Sequence, residues 1–182
     1  MPSQRQVVQG SVRVKILETE RLILRKMTVE DAEFIFELVN EPAFIRNIGD
    51  KGVRTLDDAR DYILIGPVAS YAKFGFGLYA VELKETGAAI GICGLLKRDS
   101  LEDVDIGFAL LEKFRRKGFG YESAAAVMDY GRSALGLKRI VAITSPDNEE
   151  SIRVLEKIGL RFEKMIRIPG PSEDTRLFVP RS

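Results

Sequence analysis

The sequence predicts a mixed α/β domain in which helices cover both faces of a mixed β-sheet. Three observations carry this. Short apolar runs with period-two alternation read as strands, and segments with apolar residues three and four positions apart read as helices. One strand runs directly into a glycine turn that opens a helix. At 182 residues the chain can bury one full core. No repeat or linker divides it, so residues 12–182 are expected to form a single domain behind a loose tail over Met1 to Ser11.

The elements follow in order. Val12 to Met27 alternates as an extended strand or strand pair, with Leu22 and Leu24 on one face. Thr28-Val29-Glu30-Asp31 matches a helix-start box, and Ala32, Ile35, Phe36 and Val39 continue it as an amphipathic helix that Pro42 is expected to end. Asn47 to Val53 reads as a loop, and Thr55 as the cap of a second helix running through Ile63 to Gly66. Phe76 to Leu83 and Ala89 to Leu96 form a predicted hairpin, and Glu102 to Leu111 the next strand. Ala124, Met128, Gly131 and Leu135 mark one face of the helix that follows. Lys138 to Thr144 is a short strand, and Pro146-Asp147-Asn148 starts a helix with Ile152, Leu155 and Ile158 inward and Gly159 as its stop. Arg161 to Ile168 and Thr175 to Val179 are strands around a Pro169-Gly170-Pro171 turn.

Composition excludes several function classes. A net charge of +1 argues against a dedicated nucleic-acid binder. No apolar run approaches membrane-spanning length, and Met1 to Ser11 lacks a signal-peptide core. With one cysteine there is no internal disulfide, so a reducing, cytoplasmic location is expected. With no histidine, the Ser-His-Asp and Cys-His arrangements and histidine-ligated metal sites are excluded, and no metal is expected. Cys93 is read as an inert buried thiol.

The most informative residues are Arg115-Arg116-Lys117-Gly118-Phe119-Gly120, between the apolar strand and the alanine-rich helix. A basic glycine turn there gathers unpaired N–H groups at the positive end of the helix dipole, and glycine lets a bulky anion approach the backbone. Strand, turn and helix start together suit a pyrophosphate. Taken alone, the hexapeptide is also compatible with an ordinary turn carrying solvated basic side chains. Its Arg-x-x-Gly-x-Gly spacing is neither the dinucleotide fingerprint nor the Walker loop.

Further pieces surround it: Thr19-Glu20-Arg21-Leu22-Ile23-Leu24-Arg25, Asp105-Ile106-Gly107-Phe108, Asn148-Glu149-Glu150-Ser151 and Leu155-Glu156-Lys157-Ile158-Gly159. In this order and spacing the chain resembles the GNAT N-acetyltransferase superfamily, and within it the branch similar to ribosomal-protein N-terminal acetyltransferases, from about Glu18 to Phe178. The resemblance implies a mostly antiparallel central sheet and an acetyl-CoA-dependent transferase. It implies a bulge in the strand before the turn, with backbone donors from Phe108, Ala109, Leu110 and Leu111 for the pantetheine arm and acetyl oxygen. Arg115, Arg116, Lys117, Gly118, Phe119, Gly120 and Tyr121 would then surround the phosphates. Asn148 would meet the pantetheine amide, and Ser151 would lie near the sulfur. Asn148 also reads as a helix N-cap.

Acetyl transfer needs a base for the amine and a proton for the leaving thiolate. Asp105 occupies the strand position where several superfamily members carry a glutamate base. It also reads as part of a solvated acidic strand start with Glu102 and Asp103, and an ordinary aspartate near 3.9 would need burial or a water relay to serve an amine. Leu155 stands where other members place a tyrosine acid, leaving Ser151, Tyr121 or solvent. The loop from Phe44 to Asp50, with Arg54, lies where family members shape the acceptor cleft; Asp50 and Arg54 read equally as a surface pair.

The expected activity is direct acetyl transfer to a primary amine, either a protein N-terminus or a small amine such as a polyamine, amino acid or aminoglycoside. The alternative is a non-catalytic acyl-CoA-binding sensor or structural protein of the same fold. A homodimer is a common state for such enzymes.

Overall fold

The computed structural model of the chain describes residues 12–169 and 174–182. The expected tail over Met1 to Ser11, and Gly170 and Pro171 of the expected turn, lie outside the described residues. Eight strands form one sheet in the order β1-β2-β3-β4-β5-β6-β8-β7. They are β1 Lys15–Glu18, β2 Leu22–Lys26, β3 Leu78–Leu83, β4 Ala89–Leu96, β5 Val104–Leu110, β6 Ile140–Thr144, β7 Leu160–Ile166 and β8 Thr175–Pro180. All neighbours are antiparallel except β5 and β6.

The β5–β6 pair has the least register. It holds only at Val104↔Ile140 and Asp105↔Val141. Beyond that β5 stays with β4, from Leu96↔Asp105 to Gly91↔Leu110, while β6 stays with β8. The two strands therefore part after Asp105 and leave a cleft in the sheet. No register shift interrupts the β4–β5 ladder, so the expected bulge in β5 is not found; the free edge comes from the parting.

Helices α1 (Ala32–Val39), α2 (Pro42–Asn47), α3 (Leu56–Ile63) and α4 (Ala69–Phe74) precede the β3–β4 hairpin, and α5 (Phe119–Ser133) and α6 (Glu149–Lys157) follow β5 and β6. Met27, Ile35, Leu38, Phe44, Ile63, Ala80 and Ile92 pack in a core that includes the first set. Leu24, Tyr79, Cys93, Leu95, Ile106, Val127, Met128 and Leu155 pack in a core beneath α5 and α6. Strand alternation divides them: Ile92 serves one core, Cys93 and Leu95 the other. Gly131 sits on the packed face of α5 because a Cβ there would lie 2.6 Å from Ile140 Cδ1.

Both threonine caps form. Thr28 and Asp31 make a reciprocal capping box at a 3₁₀ turn leading into α1, and Thr55 and Asp58 make one at α3. Two expectations are corrected. Pro42 does not merely follow a helix; it occupies the first turn of α2, where its missing N–H costs nothing. The segment from Phe44 to Asn47 is thus helical rather than a loop. The helix begun at Thr55 also does not stop near Gly66. It passes through a π-helical segment, Leu64–Val68, containing Pro67, and continues as α4 until Gly75 caps it in the left-handed conformation.

Under the first core lies a buried ion triad. Arg25 donates to both oxygens of Asp31 (2.7 and 2.9 Å) and through Nε to Glu82 (2.8 Å), tying β2, the α1 start and β3 together. Arg13 reaches Glu82 from outside at 3.1 Å. Replacing Arg25 with methionine leaves two buried carboxylates short of their main partner, and breaking a buried pair in this way costs about 3–5 kcal/mol. Urea unfolding of Arg25→Met should show a loss of that order; a loss below about 1 kcal/mol would mean the triad is not needed for stability.

Candidate functional site

The cleft between β5 and β6 has two halves. One, of about 280 Å³, is bordered by Leu110, Arg115, Arg116, Gly118, Gly120, Tyr121, Glu150, Arg153 and Lys157. The other, of about 350 Å³, is bordered by Lys51, Tyr62, Arg98, Asp105, Thr144, Ser145 and Leu155. Phe44, Asn47, Ile48, Phe108, Ala109, Asn148 and Ser151 border both, so the halves meet at the parting point. Helix α2 roofs this junction. Its N-cap residue Glu41 accepts from the Glu112 N–H (3.1 Å) and from Arg115 (3.3 Å), and Asn47 accepts from Ser145 at 3.3 Å.

In the first half, Gly118 is the N-cap of α5 in the left-handed conformation, and no side chain caps this helix. The first α5 bond is Glu122 N–H to the Gly118 carbonyl. The N–H groups of Phe119, Gly120 and Tyr121 are therefore open at the positive end of a 15-residue helix. Arg116, at φ 61, and Arg153 and Lys157 on α6 add positive charge. Arg116 also pairs with Glu150 at 3.1 Å across the turn. These residues fit a phosphate-bearing group.

The turn is braced from the connection between β1 and β2, a role that sequence reasoning missed. Glu122 accepts from the Thr19 hydroxyl (2.6 Å), the Arg21 N–H (2.9 Å) and Arg21 Nε (2.7 Å). Arg21 also donates to the Lys117 carbonyl at 3.0 Å and lies over the Phe119 ring at 4.3 Å. The Thr-Glu-Arg motif thus reaches about a hundred residues ahead to hold the glycine turn and the start of α5.

Backbone geometry narrows the donors. The Leu111 N–H goes to the Ile90 carbonyl at 2.9 Å. Alternation along an antiparallel pair then turns Ala109 toward β4 as well, and leaves the Phe108 and Leu110 N–H groups facing the cleft. Leu110's carbonyl already accepts from Arg115 Nε at 3.1 Å. Of the expected donors, Leu111 is corrected: its N–H is committed and its side chain is buried outside the cleft. Ala109 borders the cleft but its N–H points to the ladder. The exposed Lys117 side chain borders neither half of the cleft, while its carbonyl accepts from Arg21. The Phe119 side chain is packed in the core, so Phe119 offers only its backbone. Arg115 borders the cleft while bracing Leu110 and Glu41.

Asn148 is the N-cap of α6, with its Oδ1 accepting the Ser151 N–H at 3.3 Å. Its amide nitrogen and the Ser151 hydroxyl make no hydrogen bond among the described residues, and both residues border the junction. Tyr121 borders only the first half, with Lys157 5.9 Å above its ring. Asp50 and Arg54 form an exposed bidentate pair and border neither half.

Asp105 lies in the second half, its side chain 1% exposed. It is not part of a solvated acidic strand start. Arg98 Nε donates to both of its oxygens, at 3.0 and 3.2 Å. Burial pushes its carboxyl up to about 6, against the opposing pull of Arg98 and, more weakly, Lys97. Arg98, Lys51 and Tyr62 were not visible as site residues in the sequence, because charged residues after a strand and in a loop look like solvated surface. Burial pushes the Cys93 thiol up to about 12, so it remains protonated. Among the described residues no group of three or more His, Cys, Asp or Glu side chains could hold a metal, and no helix is long and apolar enough to cross a membrane.

Comparison with known proteins gives this geometry its context. The Acetyltransferase (GNAT) domain family matches residues 21–161. The chain is similar to the uncharacterized N-acetyltransferase YoaA of Bacillus subtilis, 35% identical over 84% of this chain and 86% of that protein. It resembles the structure of a GNAT-family acetyltransferase from Bacillus anthracis, with TM-score 0.75 and 28% identity over 92% of this chain and 97% of that one. Its fold is also that of RimL, a ribosomal alpha-N-protein acetyltransferase in complex with coenzyme A, at TM-score 0.77 and 17% identity over 91% of this chain and 96% of that one.

The Asp105 carboxyl should titrate near pH 6 in a carbon-detected NMR titration, and Arg98→Gln should move it higher by removing a positive neighbour. The folded state binds this proton more tightly than the unfolded chain, where the group has its ordinary value of 3.8. Its stabilising contribution is fully present below about pH 3.8 and is lost as pH rises through about 6. A titration near pH 4 would show that Asp105 is solvated.

Proposed function

This chain belongs to the GNAT acetyltransferase family, and on that premise we propose that it transfers an acetyl group directly from acetyl-CoA to a primary amine held in the Asp105 half of the cleft. One observation carries the reading: the parting of β5 and β6 turns the Phe108 and Leu110 N–H groups toward a junction between an uncapped helix start and a buried carboxylate.

The residues at the turn fit the coenzyme. Gly118 opens the approach, the N–H groups of Phe119, Gly120 and Tyr121 and the Arg116, Arg153 and Lys157 side chains would receive phosphate charge, and the Asn148 amide and Phe108 and Leu110 N–H groups suit an amide-bearing arm. Bound acetyl-CoA supplies the activated acetyl thioester. At the junction, a backbone N–H aimed into the cleft is a fixed dipole for a carbonyl oxygen that gathers negative charge.

Asp105 is the base in this reading. A carboxyl near 6 is mostly ionised at neutral pH yet a far better proton acceptor than an ordinary aspartate, and it can take an ammonium proton directly or through water. Ser151, which borders both halves, is the better-placed hydroxyl for the departing sulfur; Tyr121 faces only the coenzyme side. The protonated, buried Cys93 supports direct transfer over a thiol-bound intermediate. The lone reduced cysteine fits a cytoplasmic enzyme. For the acceptor, a protein N-terminus follows the activity of RimL, and a small amine fits the volume of the half-cleft equally.

Two variants test the reading. A Cβ on Gly120 would stand 3.8 Å from Leu110 Cδ1 and Val154 Cγ2, so the fold can take a side chain there. Gly120→Asp places a carboxylate where it suits the helix dipole but opposes a phosphate. Calorimetry should show CoA affinity reduced at least about tenfold, roughly 1.4 kcal/mol, with thermal stability kept; unchanged affinity would remove the turn from the coenzyme site. Asp105→Asn should lower the rate at pH 7.5 by roughly 10²–10⁴ and abolish the acid limb of the pH–rate profile near pH 6, with CoA binding intact. A mutant that keeps that limb places the base elsewhere.

A further inference from the structure

The second half-cleft holds more charge than a base requires. Among the described residues, Lys51 and Arg98 both border it, against the one carboxylate of Asp105. Arg98 spends only its Nε on Asp105; its two terminal amino groups have no acceptor among the described residues. The Lys51 ammonium likewise forms no ion pair or hydrogen bond among the described residues. Lys51 is an exposed residue, yet partial desolvation of its ammonium and then the positive charge of Arg98 hold it below its ordinary value, so the two cations feel one another. Around them stand neutral hydroxyls of Tyr62, Thr144 and Ser145.

Two neighbouring cations, of which only Arg98 is paired with the carboxylate, leave an excess of positive charge among the described residues of this half-cleft, an arrangement that an anion relieves. The free fork of a guanidinium whose Nε is already fixed is preorganised for a carboxylate. We propose that the acceptor is a primary amine that also carries a carboxylate, which Lys51 and Arg98 hold while the amine faces Asp105. The inference rests on the transfer reading above and narrows it. A zwitterion matches the charges in pairs, ammonium to Asp105 and carboxylate to the two cations. A polyamine or aminoglycoside brings several cations to a cavity already positive. The carboxylate can be that of a free amino acid or of an acidic residue at a peptide N-terminus.

The test uses matched acceptors with the full-length protein and acetyl-CoA. One set compares free amino acids with their carboxamides, and the other compares dipeptide amides headed by aspartate with those headed by asparagine. In at least one set, kcat/KM should be at least tenfold higher for the carboxylate member. An α-carboxamide makes its amine less basic and therefore more often neutral, so intrinsic reactivity favours the opposite order. Lys51→Met and Arg98→Met should each shrink the ratio towards one with CoA affinity unchanged. Lys51 sits in an exposed loop, so its variant serves even if Arg98→Met folds poorly. The set that shows the preference identifies the source, amino acid or peptide. Equal use of both members in both sets, or a preference that survives Lys51→Met, overturns the inference and leaves the transfer reading intact. Binding of N-acetylated products to the CoA-loaded protein, by calorimetry, is the readout independent of turnover. Carboxylate-selective binding lost in Lys51→Met supports the inference even where no acceptor is acetylated, an outcome that would sink the transfer reading alone. Equal binding of carboxylate and carboxamide products sinks the inference.

Discussion

Everything at the site depends on β5 and β6 keeping company for two residue pairs and then separating. A parallel pair that continued would have consumed the Phe108 and Leu110 N–H groups in its ladder. A separation without other support would leave two ragged edges, and unpaired backbone groups are costly where water is excluded. Each strand escapes this by holding its other neighbour: β5 is locked to β4 through Leu111, and β6 to β8 through Thr144↔Arg176. Helix α2 bridges the residual gap, with Glu41 holding Glu112 and Arg115 on the β5 side and Asn47 accepting from Ser145 on the β6 side. The cleft is therefore a consequence of topology, and the side chains around it only finish its edges.

That topology also explains the distribution of electrostatics. The first half receives the positive end of α5 because the helix starts where β5 ends. The second half receives a carboxylate because Asp105 is the last β5 residue still paired with β6, deep enough to lose its water. Arg21, Thr19 and Glu122 serve the first end by preventing the turn from relaxing, since a helix start left without a side-chain cap is otherwise the part of a helix most prone to fray.

Much of this was legible in the sequence, for local reasons. Alternation placed the strands, the box at Thr28 and the cap at Thr55 placed two helix starts, and Gly118 before an alanine-rich run placed the start of α5. The errors were also local. Pro42 both permits a helix start and forbids a helix interior, and sequence alone did not say which. Gly66 and Pro67 normally end a helix, but here a π-helical segment carries the chain past them. The donors in β5 could not be separated without knowing which side β4 occupied, a long-range fact. Arg98, Lys51 and Tyr62 were invisible for the same reason: only the folded sheet brings the β4–β5 connection, the loop after α2 and α3 to a single cavity. The role of the Thr-Glu-Arg motif belongs with them, because its partner Glu122 is remote in the chain.

Arg98 joins the two themes. A carboxylate as buried as Asp105 with no partner would be driven to stay protonated and would be useless as a base at neutral pH. A carboxylate with a fully committed arginine would be held low and would accept no proton from an amine. Here burial is the larger influence and a single guanidinium nitrogen opposes it, which leaves the group near 6. The same geometry that limits the pairing to Nε leaves the remainder of the guanidinium facing the cleft. One partly used arginine thus opposes the burial of Asp105 and adds positive charge to the cavity, so in the transfer reading proposed above the strength of the base and the selection of the acceptor are not independent.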